Sequence, residues 1–154
     1  MEVIAVLPQS LETEGLKEIE SLGGTNVKAL KRAVSFECDM ACFYRLHLQA
    51  RLPFRFLREI GRFKCTNPEM LYRGVQDAID WEYWLHYSMS FRIDVSGTTE
   101  SLRHSHFTAL QVKNAIVDFQ RQLWGKRSSV SHDKPDLSIN LHLNNEDAVL
   151  SLNG

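Results

Sequence analysis

The 154 residues predict an α+β fold made of two small units, the first of them sandwich-like. Two observations carry this expectation. From Met1 to about Lys64 the chain passes twice through a strand-helix-strand order. From Cys65 onward, three alternating apolar segments surround one long helical segment. The expected units are therefore residues 1–64 and 65–154.

In the first unit "EVIAVL" is a short apolar run closed by Pro8, which suits a buried strand. Ser10 is in position to cap the next helix, where Leu11, Gly15, Ile19 and Leu22 recur at helical spacing. Gly23-Gly24 supplies the left-handed conformation that ends it. "NVKAL" and "AVSFEC" read as strands, with Val34, Phe36 and Cys38 on one face. Asp39 is the expected cap of a helix from Met40 to about Gln49. "PFRFLREIGRF" sets Phe54, Phe56 and Ile60 against arginines and reads as an edge strand, where Pro53 is tolerated.

The second unit opens with Asn67-Pro68, proline in the first turn of a helix whose apolar stripe is Leu71, Val75, Ala78 and Ile79. The aromatic-dense "DWEYWLHYSM" follows. "SFRIDVS" alternates Phe91, Ile93 and Val95 against Arg92 and Asp94, the pattern of a half-exposed strand. A helix is expected from about His106 to Leu123, with Leu110, Ala115, Ile116, Phe119 and Leu123 as its core stripe. "LSINLHL" and "AVLSL" then form two strands joined by a turn at "NNED".

Composition excludes several classes of function. Apolar residues make up 44% and charged ones 24%, an ordinary globular balance. Three cysteines (Cys38, Cys42 and Cys65) have no paired spacing and read as buried thiols in a reducing compartment. The N-terminus lacks the basic region of a signal peptide, and no apolar run approaches the roughly 20 residues that span a bilayer. The expected compartment is the cytoplasm, with no membrane partner. A net charge of -1 leaves any nucleic-acid binding to local clustering. Residues 103–127 supply such a cluster: Arg103, Lys113, Arg121, Lys126 and Arg127 face only Asp118.

The cluster surrounds the stretch "SGTTESLRHSHFTALQVK", whose two histidines raise the question of a metal. His104 and His106 share a strand face but point about 200° apart at a helix start. No Cys, Asp or Glu stands beside them at ligand spacing, so no metal is expected. Catalytic motifs are missing too: there is no G-x-S-x-G elbow and no G-x-G-x-x-G or G-x-x-x-x-G-K-[ST] loop. Asn67-Pro68 continues with Glu69-Met70, which rules out an N-P-P-[YF] methylation motif. This chain alone is expected to hold no catalytic residue and no cofactor.

A phosphate-binding reading fits better. Ser96, Thr98, Thr99 and Ser101 offer hydroxyls ahead of a helix N-terminus, which attracts anions through unpaired N–H groups. Arg103 adds a bidentate charged contact, Lys113 extends the surface, and Lys126 and Arg127 follow the helix. The plain alternative is a set of solvated charges beside a turn. Trp81, Trp84 and Trp124 offer rings for base stacking, although tryptophans flanked by apolar residues usually pack in a core.

The segments "FRIDVSGTTESLRHSHFTALQVKNAIVDFQR" and "RSSVSHDKPDLSINLHLNNEDAVLSLNG" resemble the THUMP domain of bacterial 23S ribosomal RNA guanine-N2 methyltransferases. "VLPQSLETEGLKEIESLGG" is similar to that family's N-terminal ferredoxin-like unit, with Ser10-Leu11-Glu12 where G-L-E usually stands, and "GVQDAIDW" matches its pattern. The resemblance implies a ferredoxin-like unit over residues 1–64 and a THUMP α/β domain over 65–154. It implies a module that holds structured RNA, 23S ribosomal RNA above all, for a C-terminal methyltransferase domain of the same parent chain. S-adenosylmethionine is expected in that catalytic domain, and the present chain reads as an N-terminal portion. The implied RNA contacts are Arg103, Lys113, Lys126 and Arg127 to phosphates, helped by Ser96, Thr98 and Thr99, with His104 and Ser105 reaching sugar or base edges. Three alternatives remain open: a protein-interaction module using "DWEYWLHY", a THUMP module of a tRNA-modifying enzyme, and a metal-dependent enzyme using His104 and His106.

Overall fold

Twelve elements form in the computed structural model, which describes residues 1–52 and 55–153. They fall into two compact units, Met1–Glu59 joined by Asn153, and Ile60–Leu152. No helix among the described residues is long and apolar enough to cross a membrane.

The first unit runs β1 (Glu2–Val6), α1 (Glu12–Ser21), β2 (Thr25–Leu30), β3 (Ala33–Glu37), α2 (Met40–Gln49) and β4 (Arg55–Lys64). Its strands lie in the order β2-β3-β1-β4, each antiparallel to its neighbour. This is a ferredoxin-like βαββαβ arrangement. Alternation puts Val3, Ala5, Val34, Phe36 and Phe56 on the inner face, where they pack with Ile19, Phe43 and Leu46. β4 has strand neighbours on both sides, so it is not the edge strand its proline suggested. Pro53 and Phe54, which opened that expectation, lie outside the described residues.

Local signals explain both helices. Asp39 caps α2 by accepting the Cys42 N–H at 2.8 Å. Ser10 does not cap α1. It sits at φ 78, Leu11 takes the cap position, and Glu12 receives the Ser10 and Arg32 N–H groups instead. Backbone N–H groups, its own first and then that of Arg32, hold the Glu12 carboxyl below its ordinary range. α1 ends as expected: Gly23 at φ +106 lets its N–H reach the Glu20 carbonyl and the Gly24 N–H reach that of Ile19. Cys38 and Cys42 are buried, and burial, then the neighbouring Cys42, pushes the Cys38 thiol up to about 11. Both are core thiols, and burial raises Cys65 in the same direction as Cys38.

The second unit contains α3 (Pro68–Ala78), α4 (Trp81–Trp84), β5 (Phe91–Ser96), α5 (Ser105–Trp124), β6 (Leu137–Asn144) and β7 (Asp147–Asn153). Asn67 caps α3 through the Met70 N–H, with Pro68 in the first turn. Leu71, Val75 and Ile79 are buried as the stripe requires, whereas Ala78 is exposed because the helix ends there and Ile79 turns inward on extended backbone. β5 and β6 are parallel, and β6 and β7 form an antiparallel hairpin turned by Asn145 at φ 56.

A parallel pair needs a crossover, and α5 supplies it. Its buried face agrees with the stripe read from the sequence at Ala115 and Ile116, with Phe119 packed against the core, and departs from it at Leu110 and Leu123. Val112, Ala115, Ile116 and Val117 face the core with Thr108 and Gln120, while Leu110 and Leu123 remain exposed. α3 and α5 are joined by polar contacts: Gln76 donates to the Ala115 carbonyl at 3.0 Å, Gln111 to that of Pro68 at 3.0 Å, and Tyr72 to Asp118 at 2.6 Å. The carboxylate of Asp118 keeps the Tyr72 phenol above its usual value.

Both ends of the crossover are fixed. At the far end the buried Gln120 amide donates to the Leu85 carbonyl at 3.1 Å and the Ser128 hydroxyl at 2.9 Å, and accepts the Ser128 N–H at 2.7 Å. At the near end Gly97, at φ +76, lies so close to the Leu143 carbonyl oxygen that an added Cβ would be 2.0 Å from it.

Gln120→Ala leaves buried polar groups of Leu85 and Ser128 without partners, and about 1–3 kcal/mol of stability should be lost. Urea unfolding should show a lower midpoint at unchanged slope. An unchanged midpoint contradicts the network's role. Gly97→Ala combines a left-handed backbone with a clash against main chain, so a loss of at least about 2 kcal/mol is expected. A thermal midpoint equal to that of the parent would refute this.

Candidate nucleic-acid interface

The β5–α5 junction builds one part of the candidate surface. Ser96 ends β5 opposite His142, and its hydroxyl lies 2.9 Å from the His142 Nδ1. After Gly97 the loop closes on itself: Thr99 and Leu102 exchange backbone hydrogen bonds at 3.3 and 3.2 Å, and Leu102 is buried as the loop's anchor. Arg103 donates from Nε to the Glu100 carbonyl at 3.1 Å. Thr98, Thr99, Glu100 and Arg103, with Asn145 from the β6–β7 turn, line an open polar cleft of about 550 Å³. The Thr99 hydroxyl oxygen is buried without a hydrogen-bond partner among the described residues.

The start of α5 adjoins this cleft. His104 holds the cap position with extended backbone and makes no side-chain cap bond, and Ser105 is the first helical residue. The first N–H groups of the helix therefore lack the side-chain acceptor that usually serves them.

A second cleft, of about 290 Å³, opens between α5 and β5. Phe91 and Ile93 form its floor, with Leu110 and Ala109 on the helix side. Val130 and His132 form the opposite wall, and His106 and Lys113 stand on the helix rim. His106 is thus an exposed cleft residue, not a packed side chain of the helix start. Two backbone bonds and one from the Arg92 side chain hold the opposite wall against β5. Phe91 donates to Ser129 and accepts from Ser131, each at 3.0 Å, and Arg92 donates to the His132 carbonyl at 3.1 Å.

The remaining cations lie elsewhere. α5 has 20 residues and so measures about 30 Å, which separates Lys126 and Arg127 from Arg103 by nearly the helix length. Lys126 stands over the Tyr87 ring at 5.2 Å, and Arg127 donates to the Ser128 carbonyl at 3.0 Å. The nine expected site residues thus form one group at the helix start (Ser96, Thr98, Thr99, Arg103, His104 and Ser105), one isolated lysine along the helix (Lys113), and one pair at its far end. Asn145, Val130 and His132 were not among the expected site residues, and Leu110 was read from the sequence as core. Leu110 and Lys113, three residues apart, are neighbours on one helix face, but that spacing does not distinguish an exposed face from a buried one.

The aromatic segment is anchored in the core at two residues, Trp81 and Leu85. Trp81 is fully buried, its indole N–H donating to the Val75 carbonyl at 2.7 Å, and Leu85 is buried beside it. Trp124 packs against His86 and Tyr87. Tyr83 is exposed, at 74%, and Asp80, Glu82 and His86 are exposed too. Among the described residues no three His, Cys, Asp or Glu side chains gather as a metal site.

Comparison with known proteins gives this geometry a family. The model of the RlmL ferredoxin-like domain matches residues 2–57, and that of the THUMP domain matches 65–153. A protein of Synechocystis sp. named as an RNA methyltransferase is 40% identical over 148 residues, covering 96% of this chain and 38% of that protein. A ribosomal RNA large subunit methyltransferase K/L of Ectopseudomonas mendocina is 38% identical over 151 residues, covering 98% of this chain and 21% of the relative. The chain therefore spans between about a fifth and two fifths of these relatives. A Listeria monocytogenes crystal structure described as an N6-adenine-specific DNA methylase has a TM-score of 0.81 at 20% identity, covering 99% of this chain and 40% of that one, a likeness of fold. With the match over 65–153 taking in more than half of its length, the chain belongs to the THUMP-domain family and carries an RlmL ferredoxin-like domain ahead of it.

Proposed function

We propose that this chain is an RNA-holding module that positions ribosomal RNA for guanine-N2 methylation by a further domain of a longer protein. The β5–α5 junction carries this reading. It sets hydroxyls, an arginine and an uncapped helix start around one open cleft, within a domain shared with ribosomal RNA methyltransferases. A phosphate in that cleft takes charged hydrogen bonds from Arg103 and a polar one from Thr98, with Thr99 shaping the cleft wall, and the helix N-terminus adds a favourable dipole. Ser96, His104 and Ser105 border the same place. Lys113, and then Lys126 and Arg127, give a backbone laid along α5 further phosphate contacts over about 30 Å.

The division of labour follows from chemistry. The residues named here bind and orient, and none is assigned to bond making. The methyl donor, S-adenosylmethionine, and the residues that activate the guanine belong to the attached domain. Ribosomal RNA is favoured over transfer RNA because the relative from Ectopseudomonas mendocina carries a ribosomal name. Such work takes place in the cytoplasm.

Because the chain's net charge is -1, the binding term is local and salt-sensitive. Arg103→Gln and Lys113→Gln should each lower affinity for a labelled ribosomal RNA stem–loop. Each should also flatten the slope of log K against log salt by about 0.7–0.9. Anisotropy titrations at several salt concentrations read this directly. Slopes unchanged in both variants would contradict the assignment, and tighter binding of a transfer RNA would redirect it.

A further inference from the structure

We infer that the cleft between α5 and β5 takes a single unpaired nucleotide of the bound RNA, its base between Leu110 and Val130 and its phosphate on Lys113. This rests on the RNA-holding reading and adds to it which part of the RNA enters the fold, and where.

The cleft has a composition unlike the polar one at the β5–α5 turn. Its floor is Phe91 and Ile93, and its two walls carry apolar side chains that remain open to solvent, Leu110 at 44% and Val130 at 38%. Exposed apolar surface facing itself across a gap is poorly hydrated and gains by taking a flat apolar ligand. At about 290 Å³ the space falls just below the roughly 300–1,000 Å³ typical of small-ligand clefts, which suits a small guest.

The rim supplies what a purely apolar guest would not need. Lys113 brings a positive charge, and His106 and His132 bring imidazole nitrogens able to meet the polar edge of a base. No carboxylate lines the cleft, although the chain as a whole is slightly acidic. An apolar face joined to a cationic rim complements a nucleotide, whose base is flat and whose phosphate is anionic. Paired RNA keeps its bases stacked inside an A-form helix and presents no such element, so the guest is an unpaired residue of a loop or bulge.

The walls are also fixed before any ligand arrives. Residues 129–131 are tied to Phe91 by two backbone hydrogen bonds, the next carbonyl is held by Arg92, and the facing wall is a turn of α5. A preformed slot loses little entropy on filling.

The test uses the whole chain and two RNAs with one stem sequence, a hairpin carrying a single unpaired 2-aminopurine bulge and its fully paired counterpart. Two variants alter the slot without changing charge: Leu110→Ala with Val130→Ala, which strips its walls, and Ala109→Trp, which fills it. Thermal unfolding checks that both remain folded. The account predicts that each variant lowers affinity for the bulged RNA by about tenfold, the scale of one lost base contact, and leaves the paired RNA within twofold. It also predicts that 2-aminopurine fluorescence changes on binding to the parent chain and not to the variants. Arg103→Gln should weaken both RNAs alike. If Arg103→Gln weakens both while the slot variants weaken neither, or weaken both equally, the slot assignment falls and the RNA-holding reading stands. If the parent chain binds neither RNA, both fall.

Discussion

The second unit is organised around the passage of one backbone past another. Where β5 ends, Gly97 lies against the Leu143 carbonyl with room for a hydrogen only, on a left-handed backbone. That contact sets how closely the strand end and the β6–β7 hairpin approach, and so brings Asn145 to the same cleft as Thr98, Thr99 and Arg103. It also fixes where α5 begins. Since β5 and β6 are parallel, the chain must return the length of the strand before it can pair, and a 20-residue helix is how it returns. A larger side chain at residue 97 would disturb the strand end, the loop and the helix start together.

The helix is held differently along its length. Its middle is fixed by apolar contact through Val112, Ala115 and Ile116, and its far end by the hydrogen bonds of Gln120 with Ser128 and Leu85. A buried amide whose contacts are met at these distances specifies one position for the following loop, whereas apolar contact alone would tolerate sliding. This leaves α5 with one exposed side, on which Lys113, Leu110 and His106 border the cleft above β5. Two neighbouring clefts of opposite character result, one polar and suited to a sugar–phosphate backbone, the other apolar and suited to a base.

Much of the fold was legible because it depends on local chemistry. Asp39 and Asn67 cap the helices they precede, Gly23 ends α1, and alternation placed Val34 and Phe36 inward. Legibility ended where local signals competed or where distant residues decided. Ser10 is an eligible cap, but the Glu12 carboxylate takes the nearby N–H groups and the helix starts one residue later than a serine cap would place it. The buried face of α5 contains Thr108 and Gln120, polar residues that hydrophobic periodicity discards, so the stripe was misplaced toward Leu110 and Leu123. The basic cluster was visible as composition, yet composition does not reveal that Lys126 and Arg127 stand a helix length away from Arg103. The wall at Val130 and His132 comes from a segment some twenty residues beyond Leu110, brought back by a single bridge to Phe91, and no local pattern announces it.

The central claim is that RNA is held on one side of the second unit, from the β5–α5 turn along α5 to Lys126 and Arg127. Amide chemical-shift mapping of the isotope-labelled chain during titration with a ribosomal RNA stem–loop tests it most directly. The account predicts that shifts concentrate in residues 96–113 and 126–132, and that the exposed Tyr44 and Leu48 of α2 stay unmoved. Shifts centred instead on α2, or on the Trp81–Trp84 segment with its exposed Tyr83, would contradict it.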